Sequence, residues 1–217
     1  MLWNHGGGTA LGFGYDEMYP DDMLSLSQIG NALSDSGIKF DIVGFDACLM
    51  GTIETAYMLE PYADYLVASE EYEPGTGWYY SEWLKNLSDN TSMPTVEIGK
   101  KIVEDYINGP DSSFFDSNTL SIVDLREIPY TYSKLCETMQ QEEGVLDSRY
   151  SVISQARYNA KSFGDGEYEQ IDIKSYLEEC GKSDTELDKV LRSAVKYSGS
   201  SSYNSNGLIW FCFYFRV

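Results

Sequence analysis

The sequence predicts an α/β fold with a mostly parallel central sheet flanked by helices. Three observations carry this. Short apolar runs occupy residues 1–4, 38–45 and 63–69. Helix-forming stretches separate those runs, and strands that alternate with helices imply a parallel sheet covered on its faces. The chain has 217 residues and is 42% hydrophobic, enough for one substantial core but short for two full domains. Residues 1–217 therefore read as a single, partial domain.

Met1-Leu2-Trp3-Asn4 reads as the tail of an apolar strand with no start signal before it. In His5-Gly6-Gly7-Gly8, three glycines allow a tight turn that exposes backbone N–H groups. Residues 12–22 form a loop rich in Gly, Tyr and Asp. Ser25, with Gln28 three positions on, makes a capping box that opens a helix ending at Gly37. The buried strand 38–45 leads into Asp46-Ala47-Cys48, and a helix is expected from Leu49 until Pro61 stops it. A strand over 63–69 and a loop over 70–77 follow. Helices are expected over 78–90 and, opened by Pro94, up to residue 108. Residues 109–118 are a polar loop and 119–124 a fourth strand. Beyond that the chain reads as mostly helical, over 126–143, 148–160 and 172–179. A last helix runs from the cap at Ser183-Asp184-Thr185-Glu186 to residue 197. Residues 198–206 read as a loop, and 207–215 as a final strand buried on both faces.

Asp and Glu number 35 against 15 Lys and Arg, a net charge of −20. No basic stripe exists to neutralise phosphates, which excludes a nucleic-acid binder. A solvated acidic surface accounts for most of the charge, and the same field attracts cationic peptides. No apolar run is long enough to span a bilayer. Cys48, Cys136, Cys180 and Cys212 form no CxxC pair, so no zinc-finger pattern is present.

The chemistry gathers at the end of the second strand. A cysteine at the carboxyl end of a strand, at the mouth of a helix, lies where α/β proteins place reactive groups. A helix N-terminus there would lower the thiol pKa of Cys48. The alternative is a small core residue. A cysteine nucleophile needs a base or cation beside it, and His5 is the only histidine. In a parallel sheet both residues, 43 positions apart, end their strands on one edge. The alternative for His5 is an exposed loop residue. The Gly6 and Cys48 amides could donate to a developing oxyanion. A serine hydrolase is excluded, because no serine has glycine at both −2 and +2. The glycines also lack a Walker lysine, and one histidine supplies few nitrogen ligands for a metal.

The two motifs Leu2-Trp3-Asn4-His5-Gly6-Gly7-Gly8 and Phe45-Asp46-Ala47-Cys48-Leu49-Met50-Gly51 resemble the clostripain-like cysteine peptidases of the caspase and gingipain clan. Glu54-Thr55-Ala56-Tyr57, Val67-Ala68-Ser69-Glu70, Glu73-Pro74-Gly75-Thr76-Gly77-Trp78, Leu120-Ser121-Ile122-Val123-Asp124-Leu125 and Gly207-Leu208-Ile209 continue the resemblance. It covers most of the chain and is weaker between residues 140 and 205.

The resemblance implies a caspase-like α/β fold whose preceding strands and helix are missing from this chain. It implies an endopeptidase with an acyl-enzyme intermediate, in which Cys48 attacks and His5 protonates the leaving amine. Gly6 and Cys48 would supply the oxyanion amides. Substrates would be peptides or proteins cut after Arg or Lys, with Asp46 at the base of the specificity pocket and Ser69, Glu70 and Trp78 as pocket walls. A buried carboxylate suits that role, because a guest without a positive charge leaves it unpaired; helix capping is the alternative for Asp46. A catalytically silent, acidic peptide- or protein-binding domain on the same scaffold is the other functional reading. No cofactor is expected, calcium entering only through the family. Relatives are bacterial and often exported. No Lys or Arg lies between Gly6 and Gly37, so self-cleavage there by a basic-specific site is not expected.

Overall fold

The chain is described from a computed structural model, which covers residues 1–19, 22–109, 118–143, 146–164, 170–182, 185–201 and 212–214. The main sheet has five strands: β1 (Leu2–Trp3), β2 (Phe40–Asp46), β3 (Ala63–Ala68), β4 (Thr119–Asp124) and β7 (Val195–Ser200), in the order β1-β2-β3-β4-β7. β1, β2 and β3 are parallel, whereas β4 is antiparallel to both of its neighbours. Four strands thus share one direction and β4 alone opposes them.

Along each strand, alternate residues serve opposite faces. Val43, Phe45, Leu66, Ala68 and Val123 join one core. This core is completed by α2 (Leu26–Ser36), α3 (Ile53–Leu59), α6 (Ile128–Glu143), α7 (Leu146–Asn159), α8 (Ile173–Glu179) and α9 (Glu186–Ala194). Val67, Leu120 and Ile122 face the other way, onto α4 (Tyr80–Asp89) and α5 (Thr95–Asn108). At that contact a side chain on Gly99 would collide with Ile122, so only glycine lets α5 lie this close to β4.

Local signals fix several boundaries. Ser25 closes the expected capping box with Gln28 at the start of α2, and Gly37 ends it in the left-handed conformation at φ 64°. Thr185 caps α9, while Ser183 and Asp184 lie outside the described residues. A one-turn helix, α1 (Gly8–Leu11), follows the glycines.

Three expectations need correction. The helix after Cys48 begins at Ile53, capped by Thr52, and residues 47–51 form a turn instead. The last helix stops at Ala194, and Val195–Ser200 forms β7 on β4, because the helical apolar face ends there and the backbone pairs in the sheet. Two short strands, β5 (Ser162–Phe163) and β6 (Gln170–Asp172), interrupt the expected helical run; with β8 (Cys212–Tyr214) they make a small antiparallel sheet. Of the final strand expected over 207–215, only residues 212–214 fall within the described residues.

The capping box yields a measurable expectation. Ser25→Ala removes the acceptor for the Gln28 N–H and should cost about 1 kcal/mol in denaturant unfolding, with an unchanged m-value.

Candidate active site

β1 and β2 pair in parallel as Leu2↔Phe45 and Trp3↔Asp46, a constant offset of 43. His5 and Cys48 each follow two residues after the last of these pairs. Both line one cleft of about 330 Å³, together with Trp3, Asn4, Asp46, Ala47, Glu73, Pro74 and Gly75.

Cys48 sits in the tight turn that follows β2. Leu49 adopts φ 65°, a left-handed conformation that a branched side chain rarely takes. Long-range hydrogen bonds hold it there. Leu49 N–H donates to the Glu71 carbonyl at 3.2 Å, Gly51 N–H to the Ser69 carbonyl at 2.7 Å, and Gln170 Nε2 to the Leu49 carbonyl at 3.2 Å. Phe163 of β5 packs against the buried Leu49 side chain.

The half-buried thiol faces backbone. Glu73 N–H donates to Cys48 Sγ at 3.2 Å, and Sγ lies 3.7 Å from the Glu73 carbonyl. Burial pushes the Cys48 thiol up; the amides of Glu73, Cys48 and Gly6 oppose this, and Glu71 adds to the rise. The expected lowering by a helix terminus is therefore corrected. α3 starts five residues beyond Cys48, and desolvation dominates. The Gly6 amide faces the same sulfur, and a side chain on Gly6 would collide with the Cys48 carbonyl.

His5 is exposed beyond β1. Asn4 Oδ1 accepts from the N–H of His5 at 2.6 Å and of Tyr15 at 3.1 Å, and the Tyr15 ring meets the imidazole edge-on at 5.7 Å. These contacts order the loop that carries the imidazole.

Asp46 is only 2% exposed. It accepts from Trp78 N–H at 3.0 Å and from Tyr80 O–H at 2.9 Å, both on Oδ2. It does not cap α3, since Thr52 does. Gly77, at φ 71°, fits between the Trp3 indole and this carboxylate, where a Cβ would lie 2.8 Å from Oδ2. Glu73 adds a second acid to the cleft and receives the Trp78 indole N–H on its two oxygens, at 3.1 and 3.0 Å. Desolvation, then Asp46, pushes the Glu73 carboxyl well above the usual carboxylate range. Among the described residues, no group of three or more His, Cys, Asp or Glu side chains is placed to hold a metal ion. No helix among them is long and apolar enough to cross a membrane.

The sequence-predicted residues thus divide. His5, Asp46 and Cys48 meet in the cleft, and Gly6 abuts it. Trp78 lies behind the lining, holding both acids. Ser69 and Glu70 lie outside the lining: Ser69 Oγ bonds Thr119 Oγ1 at 3.0 Å, and Glu70 is fully buried with neither carboxyl oxygen hydrogen-bonded.

A family model described as Peptidase_C11, clostripain family, matches residues 1–204. The chain belongs to the clostripain family. No curated protein sequence matches it. Solved structures of clostripain-type proteins share its fold. A secreted C11 cysteine protease from Bacteroides thetaiotaomicron, in complex with an irreversible peptide inhibitor, aligns with TM-score 0.70 at 17% identity, over 99% of this chain and 64% of that one. A second structure of a secreted C11 protease from that organism aligns with TM-score 0.66 at 19% identity, over 88% and 54%. A clostripain from Bacteroides thetaiotaomicron, in complex with the peptide inhibitor BTN-VLTK-AOMK, aligns with TM-score 0.60 at 14% identity, over 93% and 88%. The chain spans less than two thirds of the first two relatives.

Sequence reasoning missed Trp3, Asn4, Glu73, Pro74 and Gly75 of this clostripain-family cleft. Trp3 carried a signal: it precedes His5 by two residues, as Asp46 precedes Cys48. Glu73 carried none, since an acid in a Pro/Gly loop reads as surface.

Two expectations follow from the buried groups. Iodoacetamide labelling of Cys48, mapped by mass, should be slow at neutral pH and climb with pH without levelling off before the ordinary thiol range, because its thiolate is disfavoured. Early levelling would contradict the desolvated thiol. Glu70 is also held well above the carboxylate range by burial, with Asp172 adding to the rise and Lys161 opposing it. A raised acid costs nothing below its unfolded pKa of about 4.3, and stability is lost as pH rises through the folded value, at up to ~1.4 kcal/mol per unit. Glu70→Gln should therefore raise the melting temperature at neutral pH and change it less at pH 4.

Proposed function

We propose that the chain carries the catalytic centre of a cysteine endopeptidase that cuts peptides and proteins after Arg or Lys. One observation carries the reading: a single cleft is lined by the chain's only histidine, by Cys48 and by the buried Asp46 carboxylate.

The chemistry needs nothing beyond these groups. The Cys48 thiol loses its proton to His5 as Sγ attacks the scissile carbonyl. The carbonyl oxygen gathers negative charge, which the Gly6 and Cys48 amides stabilise. His5 returns the proton to the leaving amine as the C–N bond breaks, leaving a thioester. His5 then takes a proton from water, whose oxygen attacks the thioester. Proton return to sulfur frees the acid and restores Cys48.

Asp46 selects the guest. A carboxylate this buried favours a guanidinium or ammonium, since a neutral guest leaves its charge unanswered. The lysine that ends the VLTK peptide bound by the Bacteroides thetaiotaomicron clostripain supports a basic preference. Two solved structures described as secreted C11 cysteine proteases support export of the full protein from a bacterial cell.

Cys48→Ala and His5→Ala should each abolish cleavage of an Arg-containing peptide; undiminished turnover in either would sink the dyad. Asp46→Ala should lower kcat/KM for Arg and Lys substrates by on the order of 10²–10³-fold while sparing residual cleavage of neutral ones. An Arg chloromethyl ketone should label Cys48 in the folded chain. Absence of label there would favour the silent acidic binding domain.

A further inference from the structure

The cleft holds two acids where one suffices to recognise a cation. Glu73 lines it together with Asp46, and Trp78 holds both, its backbone N–H on Asp46 and its indole N–H on Glu73. Two carboxylates held on one residue in a partly buried cleft repel each other unless one keeps its proton. Glu73 is the carrier, because Asp46 already accepts from Trp78 N–H and Tyr80 O–H. The Trp78 indole N–H, within reach of both Glu73 oxygens, can serve either protonation state.

We infer that Glu73 is a second specificity-determining acid, which keeps its proton toward Asp46 in the empty cleft and releases it to solvent when a basic side chain enters. This rests on the Arg/Lys reading above. A guanidinium brings five N–H donors and an ammonium three. Either replaces the lost O–H as donor to Asp46 and also meets Glu73. The balance is simple: the Glu73 O–H ionises, its proton goes to buffer, and the guest's charge offsets the new carboxylate. The cleft keeps the same net charge before and after binding. The other titratable groups facing Glu73 are Cys48, Tyr80 on α4 and Tyr106 on α5, with His5 across the cleft.

Benzamidine is the probe, a non-covalent cation that needs no turnover. Titration calorimetry of the wild-type chain in two buffers of different ionisation enthalpy should show about one proton released per benzamidine bound. The Kd should fall by up to about tenfold per pH unit while Glu73 is still protonated in the empty cleft. Glu73→Gln keeps a donor for Asp46 and an acceptor for Trp78 but has no proton to lose; it should bind without that release and with a flattened pH profile. Wild-type binding with no proton release would overturn the inference. So would full release by Glu73→Gln, which would trace the proton to His5 or Cys48. Failure of the wild type to prefer benzamidine over neutral benzamide would remove the basic pocket itself, and this inference with it. The two-buffer measurement on the wild type decides the matter even if the variant fails to fold.

Discussion

The cleft depends on the parallel register between β1 and β2. With Leu2 beside Phe45 and Trp3 beside Asp46, His5 and Cys48 each follow two residues after the last pair and line one cleft. β1 contributes only two residues, so little ladder holds it. Neighbouring contacts support it: Asn4 N–H reaches the Asp46 carbonyl at 3.4 Å, and Gly6 lies so near the Cys48 carbonyl that no side chain fits. A slip of one residue would reverse the facing of every β1 side chain, taking Trp3 from its place beside Asp46. The strand ends that lead into His5 and Cys48 are thus fixed by one pairing.

The second constraint is the turn that carries Cys48. A left-handed Leu49 costs about 1–2 kcal/mol in isolation. It persists because residues 69–71, Gln170 and Phe163 all hold the same turn. The small sheet of β5, β6 and β8 therefore supports the site through two of its strands. Gln170 reaches the Leu49 carbonyl, and Phe163 fills the space under the leucine side chain. A helix begun at Leu49, as the sequence suggests, would have spent the Leu49 carbonyl on the Ile53 N–H rather than on Gln170.

This explains what the sequence could reveal. Ser25, Gly37 and Pro94 act on their own neighbours, so the boundaries they set are legible. Strand alternation and a shared 43-residue spacing made the meeting of His5 and Cys48 legible too. The turn after β2 was not, because its bonds come from residues 18 or more positions away. Nor was β7, whose Val-Lys-Tyr-Ser-Gly-Ser run pairs with β4 yet shows little apolar alternation. Glu70 and Glu73 stand three residues apart in one acidic loop and look alike. Ser69 Oγ and Glu70 N–H both engage Thr119 Oγ1, at 3.0 and 3.3 Å, and this long-range seat accompanies the burial of Glu70. Glu73 lies past that anchor and lines the cleft.

Glu73 also touches both functions at once. Its side chain meets Asp46, and its backbone meets the sulfur of Cys48. In the empty cleft burial opposes thiolate formation most strongly, and the charge of Glu71 adds to it. A basic guest beside Asp46 brings a positive charge into that same low-dielectric space. Opposite charge favours the ionised form of a neighbouring thiol. Under the proposed chemistry, the Glu73 carboxylate that forms on binding offsets the guest's charge, so the cation and the new anion act on the thiol in opposite directions. A neutral guest makes no ion pair and releases no proton, so under the same proposal selectivity rests on the two acids, while desolvation remains the main barrier to ionising Cys48.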